Sequence, residues 1–309
     1  VAGAQVLTEC VINVSEGRST ATIDAIRVAG GPEVLDVHSD PEHHRSVLTL
    51  GGPLDAVEDA ARRVVAEAVA RIDLRAHAGI HPRLGAADVV PFVPLPSCGR
   101  SAVAPSEGSA GDAWSRVVEA RDRFAVWAAT TLQLPCFLYG PERSLPEVRR
   151  RAFRSLAPDT GPSEPHPTAG ASAVGARPVL VAYNVWIAGA SSGTPEEEHA
   201  RAVAVARSLA SDLRGPAVRS LGFAVDAGAQ VSFNLIDPVA RSVVDVYDAV
   251  ASGAESKGCK VQRAELVGLA PAEVLDAVPR HRWAELDLTE DRTIEGRLDD
   301  NRSPTADTR

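Results

Sequence analysis

Two imidazoles and a guanidinium fall within a few residues at His77, His81 and Arg83. The string is His77-Ala-Gly-Ile-His-Pro-Arg-Leu-Gly-Ala86. Histidine takes up and releases a proton near neutral pH. Pro82 fixes its own φ, removes a donor and biases His81 towards an extended backbone. Gly79 and Gly85 permit shapes that other residues resist. A loop stiffened around a histidine, with an arginine beside it, suits proton transfer on an anionic substrate. It also reads as an ordinary polar surface loop.

Three further clusters carry chemical groups. Asn13-Val-Ser15-Glu16-Gly-Arg18 ends a β-branched run, and the amides exposed at a strand-to-helix junction suit an anion. It equally fits a turn with a helix cap. His38, Asp40, His43, His44 and Arg45 crowd a second connection. Their spacing could hold a metal, but we expect none. A hairpin here would instead put Arg45 on a carboxylate and His38 or Asp40 beside His81. An adjacent carboxylate raises a histidine's proton affinity and orients its ring. The last cluster is Gly170-Ala171-Ser172-Ala-Val-Gly175-Ala176-Arg177, whose small residues let backbone approach a flat ligand. It lacks the Gly-Lys-Ser/Thr end of a phosphate loop.

These groups need elements to position them. Val6–Val14 reads as a strand, Ser19 or Thr20 caps a helix to Ala29, and Val34–Val37 and Ser46–Leu50 are strands. Leu54, Val57, Ala61, Val64, Val65, Ala68 and Ile72 recur at three and four, so an amphipathic helix follows Pro53. With the strand Asp88–Val93 the order is β-α-β-β-α-β, the ferredoxin-like split unit. Pro96–Gly111 reads as a loop, Asp112–Leu134 as a helix, Cys136–Tyr139 as a strand and Ser144–Arg154 as a basic segment. Such a charge run is either a solvated helix face or the mouth of an anion groove. Ala157–Ala176 reads as a connection. A second β-α-β-β-α-β series follows: Val179–Val185, a capped helix Thr194–Leu213, Arg219–Val225, Gln230–Leu235, a helix opened by Asp237-Pro238 and running to Ala251, and Lys260–Val267. The expected fold class is α+β, two ferredoxin-like subdomains with helices on the outer faces and a ligand cleft between them. The expected boundaries are 1–177 and 178–287, with a polar, disordered tail over 288–309.

The bulk properties narrow the partners. The chain has 309 residues, 45% of them apolar but only 4% aromatic, so Ala, Val and Leu must build the core. A net charge of −9 argues against nucleic acid or an anionic membrane. No run approaches a membrane span and no signal peptide pattern opens the chain, so a cytoplasmic protein is expected. Cys10, Cys98, Cys136 and Cys259 lack C-x-x-C spacing and read as buried thiols. G-x-S-x-G, H-E-x-x-H and G-x-G-x-x-G strings are missing, which lowers serine hydrolases, zinc proteases and nicotinamide enzymes.

Taken in order, the clusters resemble the formiminotransferase family. The matching stretches are Glu9-Cys-Val-Ile-Asn-Val-Ser-Glu-Gly17, Leu35-Asp-Val37 with His44-Arg45 after it, and His77-x-Gly-x-His-Pro-Arg-Leu-Gly-Ala86 followed by Asp88-Val-Val-Pro-Phe-Val-Pro94. In the second half come Gly170-Ala-x-x-x-Gly-Ala-Arg177, Ala182-Tyr-Asn184, Gln230-Val-Ser-x-Asn-Leu235 and Leu266-Val-Gly-Leu269. The resemblance spans roughly residues 5–280 and does not include a cyclodeaminase part.

The resemblance implies a homodimeric, folate-dependent transferase of histidine degradation. It would move a formimino group between an amino acid such as glutamate and N5 of tetrahydrofolate, bound between the halves. His81 corresponds to the family's acid/base residue, with His38 and Asp40 beside it. The stretch Gly170, Ala171, Ser172, Gly175, Ala176 and Arg177 corresponds to its folate-contacting segment. Asn13, Ser15, Glu16, His44, Arg45 and Arg83 are the expected substrate contacts. Chemistry agrees: a protonated amine must lose a proton to attack, a departing nitrogen must gain one, and carboxylate-bearing substrates want arginine anchors. The chain departs from the family pattern at Ile12, His38, His44, Phe233 and around Ala152-Phe153. Those departures leave the amine acceptor open. A different acceptor, a non-catalytic folate-binding protein and a metal-dependent hydrolase on His38–His44 are the rival readings.

Overall fold

A computed structural model describes residues 6–79, 83–95, 107–189, 193–225, 228–238 and 240–302. His81 and Cys98 lie outside them. The chain divides into two compact units, Val1–Pro178 with Asn301–Arg309, and Val179–Asp300.

The first unit is built on β1 (Leu7–Val14), α1 (Thr20–Gly30), β2 (Val34–Asp40), β3 (Arg45–Pro53), α2 (Leu54–Arg71) and β4 (Ala87–Pro94). Ser19 caps α1, its hydroxyl accepting the Thr22 N–H. The chain then adds α3 (Glu107–Thr131), β5 (Cys136–Tyr139), α4 (Leu145–Arg151) and β6 (Ser172–Ala176). The sheet order is β2-β3-β1-β4-β6-β5. Its first four strands are the antiparallel ferredoxin-like core, and β6 and β5 extend it in parallel. Three expectations change here. The helix α3 starts at Glu107, within the expected loop. β3 runs through Gly51-Gly52 to Pro53. The expected connection to Ala176 ends in an interior strand, β6.

One sheet face packs on helices. Cys10, Ile12, Val14, Leu48, Leu50, Val90 and Phe92 bury against Val57, Ala61, Val64 and Ala68 of α2 and Ala120, Phe124 and Ala128 of α3. Alanine on the helices allows close approach, so a core with few aromatics still fills. The opposite face follows from register, because residues paired across antiparallel strands point the same way. Asn13 pairs with Val47, which pairs with His38. Asp40 pairs with Arg45, and Asp36 with Thr49. A register shift between Val34 and Asp36 lets both Val34 and Val37 reach the core while Asp36, His38 and Asp40 share the other face. Val148 of α4 packs with Val89, Phe137, Tyr139, Ala171 and Ala173, so α4 covers part of that second face.

The second unit holds β7 (Val181–Gly189), α5 (Pro195–Leu213), β8 (Val218–Val225), β9 (Gly228–Leu235), α6 (Val243–Ser256), β10 (Cys259–Val267), α7 (Ala272–Asp276) and α8 (Ile294–Arg302). Its antiparallel sheet has the order β10-β7-β9-β8, again ferredoxin-like. Thr194 and Ser242 close capping boxes, and the latter starts α6 at Val243, later than Asp237-Pro238 suggests. Phe233 is 1% exposed and tilts against Tyr183 in the core, so that departure is a packing feature and says nothing about an acceptor.

The expected disordered tail is folded up to Arg302. Leu288, Ile294 and Leu298 are buried. Arg292 donates to the carbonyls of Leu266 and Gly268 and pairs with Asp287, fastening the segment to the end of β10. Ile294→Ala should therefore cost about 2–5 kcal/mol, read as a lower urea midpoint. An unchanged midpoint would mean the segment does not pack.

Candidate active site

At one end of the first unit's sheet, the close of β1, the β2–β3 hairpin and the start of β4 come together, as their antiparallel register requires. Both stems of the 77–86 loop are fastened there. On the later stem, Ser15 donates its N–H to Ala86 O and its hydroxyl to Gly85 O, each at 2.8 Å. Leu84 N–H donates to Asp88 Oδ1 at 2.5 Å. Gly85 and Gly170 lie back to back. A Cβ on Gly85 would sit 2.0 Å from Ala171 O, and one on Gly170, at φ +70, would sit 2.3 Å from Leu84 O. Only glycine fits either position. On the earlier stem, Leu74 N–H donates to Thr168 O at 2.8 Å, and Gly79 runs so near the hairpin that a Cβ would lie 2.8 Å from His43 O.

Asp40 shapes the hairpin. Its Oδ1 accepts the N–H groups of Glu42 at 2.8 Å and His43 at 2.9 Å, the pattern of an Asx turn. His43, 5% exposed, has Nε2 3.8 Å from the other Asp40 oxygen. His44 takes φ +49. Its Nδ1 accepts the Gly17 N–H at 3.1 Å and its ring stacks on His77 with centroids 4.0 Å apart. Among the expected catalytic residues, His38 and Asp40 share one face of β2, and His81 lies outside the described residues.

Four charged groups meet beside this hairpin. Asp88 is 1% exposed, and its Oδ2 accepts from Arg149 Nη2 at 2.6 Å. Burial pulls the Arg45 and Arg83 guanidinium pKa values down, Asp88 pushes both up, and Arg149 opposes Asp88 on each. Arginine stays charged throughout. Arg45, Arg83 and Arg149 thus share Asp88, with Asp40 acting on Arg45 as well. Such a cluster suits a carboxylate.

Glu16 works locally. Burial pushes its carboxyl up, but the Ser19 and Arg18 N–H groups it accepts, helped by His44 and Gly17, outweigh that and hold it below the usual range. Burial lowers the His44 and His77 imidazoles below theirs. Arg83 lowers both further, while Glu16 acts in the opposite direction. Asn13 is half-buried on β1, and Ser15 is buried with its hydroxyl bonded inside the protein.

The expected folate segment is mostly strand β6. Ser172, Gly175 and Ala176 are buried there, and Ala171 is buried just before it. A Cβ on Gly175 would sit 2.1 Å from the Tyr139 ring, so this glycine makes room for a protein side chain. Arg177 leaves the strand half-buried, donating Nη1 to Pro178 O at 2.9 Å. Burial pushes the Tyr139 hydroxyl to about 12, and Arg177 opposes it. Among the described residues no three His, Cys, Asp or Glu side chains group to hold a metal, and no helix is long and apolar enough to cross a membrane.

Asp88 and Arg149 are the members the sequence reading missed. Arg149 sat in the basic run 143–154, where nothing separates a solvated arginine from one turned inward. Asp88 carried a signal, since a carboxylate opening an otherwise apolar strand needs a partner.

Comparison with known proteins assigns the chain. The model of the formiminotransferase domain, N-terminal subdomain, matches residues 7–177, and that of the formiminotransferase domain matches residues 182–294. A glutamate formimidoyltransferase of Streptococcus pyogenes serotype M1 is 32% identical over 295 residues, covering 87% of this chain and 90% of that one. One from Thermoplasma acidophilum is 34% identical over 298 residues, covering 89% and 91%. The formimidoyltransferase-cyclodeaminase of Rattus norvegicus is 32% identical over 297 residues, and this chain spans 51% of its length. With family models matching both units and relatives above 30% identity along nearly their whole length, this chain belongs to the formiminotransferase family.

Proposed function

We propose that this protein transfers a formimino group between an amino acid, glutamate first among the candidates, and N5 of tetrahydrofolate. The observation that carries the reading is the grouping of three half-buried guanidinium groups, Arg45, Arg83 and Arg149, around Asp88, set against a loop whose two stems are fastened on either side of position 81. The names of the relatives point to the same chemistry.

The residues present fit such substrates in part. Both substrates carry carboxylates, and the arginine cluster around Asp88 is a donor set for carboxylates. The buried side chains of β6 have no surface to offer a pterin. Folate contact from this segment would therefore fall to Arg177, which leaves the sheet half-buried. Tetrahydrofolate supplies the nitrogen that holds the one-carbon unit.

The protein's own residues have three tasks. The arginines anchor the carboxylates and so fix where the amine lies, which contributes by orientation. His81 removes a proton from one nitrogen and delivers one to the other, so a single imidazole serves as base and then acid. His38 and Asp40 share one face of β2, and their task is to set the charge around that imidazole. A homodimer and a place in histidine degradation complete the reading. A second reading keeps the chemistry and changes the amine; the departure at His38, on the polar face of β2, favours it now that Phe233 is a core residue.

His81→Ala should fold as the parent does and lose about 10²–10⁴-fold in kcat; normal turnover would reject the role. Arg149→Met should raise KM for the amino acid roughly tenfold, as expected for a lost charge-assisted bond. Arg149→Lys should recover part of that, and Tm measured on both variants separates binding from folding. Formimino-glutamate assayed against other formimino amines decides between the two readings by kcat/KM.

A further inference from the structure

We propose that His44 is a positioning residue, whose ring, stacked on His77 and tied to Gly17, holds the stem from which the 77–86 loop departs. This rests on the reading above for what the loop does, but the stack itself does not.

The hydrogen bonds call for a bare nitrogen on each ring. Gly17 N–H donates to His44 Nδ1 at 3.1 Å, so that nitrogen is bare. His77 Nε2 lies 3.2 Å from the His44 carbonyl. Arg83 Nη1 lies 2.5 Å from both ring nitrogens of His77. A guanidinium only donates, so one ring nitrogen of His77 must accept from it and the ring is neutral. The rings lie 4.0 Å apart at 26°. Three segments are joined in this way: the β1–α1 turn through Gly17, the β2–β3 hairpin through His44, and both loop stems through His77 and Arg83. The hairpin also presses on the turn, since a Cβ on Gly17 would lie 2.3 Å from Asp40 O.

Backbone preference does not explain the residue. At φ +49 histidine gains nothing over asparagine, which tolerates that conformation well. An asparagine Oδ1 could accept the Gly17 N–H in place of Nδ1. What histidine adds is the ring face against His77.

Charge makes the device sensitive to pH. The groups facing the stack are Glu16, 3.4 Å from His44 Nδ1, Arg18 from the same turn, Arg83 from the loop's later stem, and Asp40 and His43 within the hairpin. Protonating His44 removes the acceptor for Gly17, and protonating His77 removes the acceptor for Arg83. Each also places positive charge near an arginine. The stack therefore holds above the imidazole pKa values and opens as pH falls through them. Since burial and Arg83 lower both values, it stays closed to a lower pH than ordinary histidines would allow.

The test uses the full chain with His44→Ala and His44→Asn, reading steady-state kinetics and the NMR titration of the His77 ring. His44→Ala should lower kcat about tenfold with KM for the amino acid nearly unchanged, the pattern of a displaced loop. His44→Asn should regain only part of that kcat, because it restores the bond to Gly17 but not the ring face against His77. In both variants His77 should titrate at higher pH than in the parent, and the acid limb of kcat should move with it. An unchanged His77 titration would overturn the proposal, as would a raised KM with unchanged kcat, which would make His44 a substrate contact. Full turnover by His81→Ala would sink the reading of the loop, while the His77 titration, which needs no turnover, would still judge the stack.

Discussion

Asp88, a carboxylate 1% exposed, is what allows Arg45, Arg83 and Arg149 to share one end of a sheet. Guanidinium groups brought together away from water repel one another and lose hydration, and a buried carboxylate offsets both. Asp88 does a second thing at once. One oxygen takes the Leu84 N–H and the other takes Arg149, so the loop's later stem and helix α4 meet on a single side chain. The position of the positive cluster and the position of the loop are therefore not independent. Any shift of α4 is felt at Leu84, and any shift of the loop is felt by the charges that would meet a carboxylate.

A small irregularity prepares the surface on which this happens. Regular alternation from Val34 would put Asp36, His38 and Asp40 on the same face as Val34. The register shift after Val34 changes the phase, so Val37 joins Val34 in the core and the polar residues turn away together. The helices take one face and leave polar chemistry on the other. The division of labour is thus set by where an extra residue falls in an edge strand.

Much of this could be read from residue patterns. The period of α2, the Ser19 cap, the repeated element order and the Asp40–Arg45 hairpin all rest on local chemistry, and local chemistry is what a sequence displays. The misses share a cause: each was decided by distant partners. β6 looks like linker because its small residues are chosen for a place between two strands and under the Tyr139 ring. The charged stretch after Asp287 looks disordered, yet Arg292 spends its donors on β10 carbonyls and three aliphatic residues reach the core. Phe233 looks like a pocket substitution until register turns it to the helix side. Of the candidate site, the histidines and Arg45 and Arg83 were legible by type and crowding. Arg149 was not, because its partner lies 61 positions away in the chain.

The place of β6 has a consequence for how the protein is made. It is the last strand of the first sheet to leave the ribosome, yet it lies inside that sheet, between β4 and β5. Until β6 emerges, β4 has an open edge and β5 lacks its neighbouring strand. The nascent chain must carry the open edge of β4 for some eighty residues of synthesis (176 − 94 = 82), a window in which an exposed edge invites wrong partners. Helix α3, formed early from local contacts and covering β4 on its apolar side, gives that waiting sheet one finished surface.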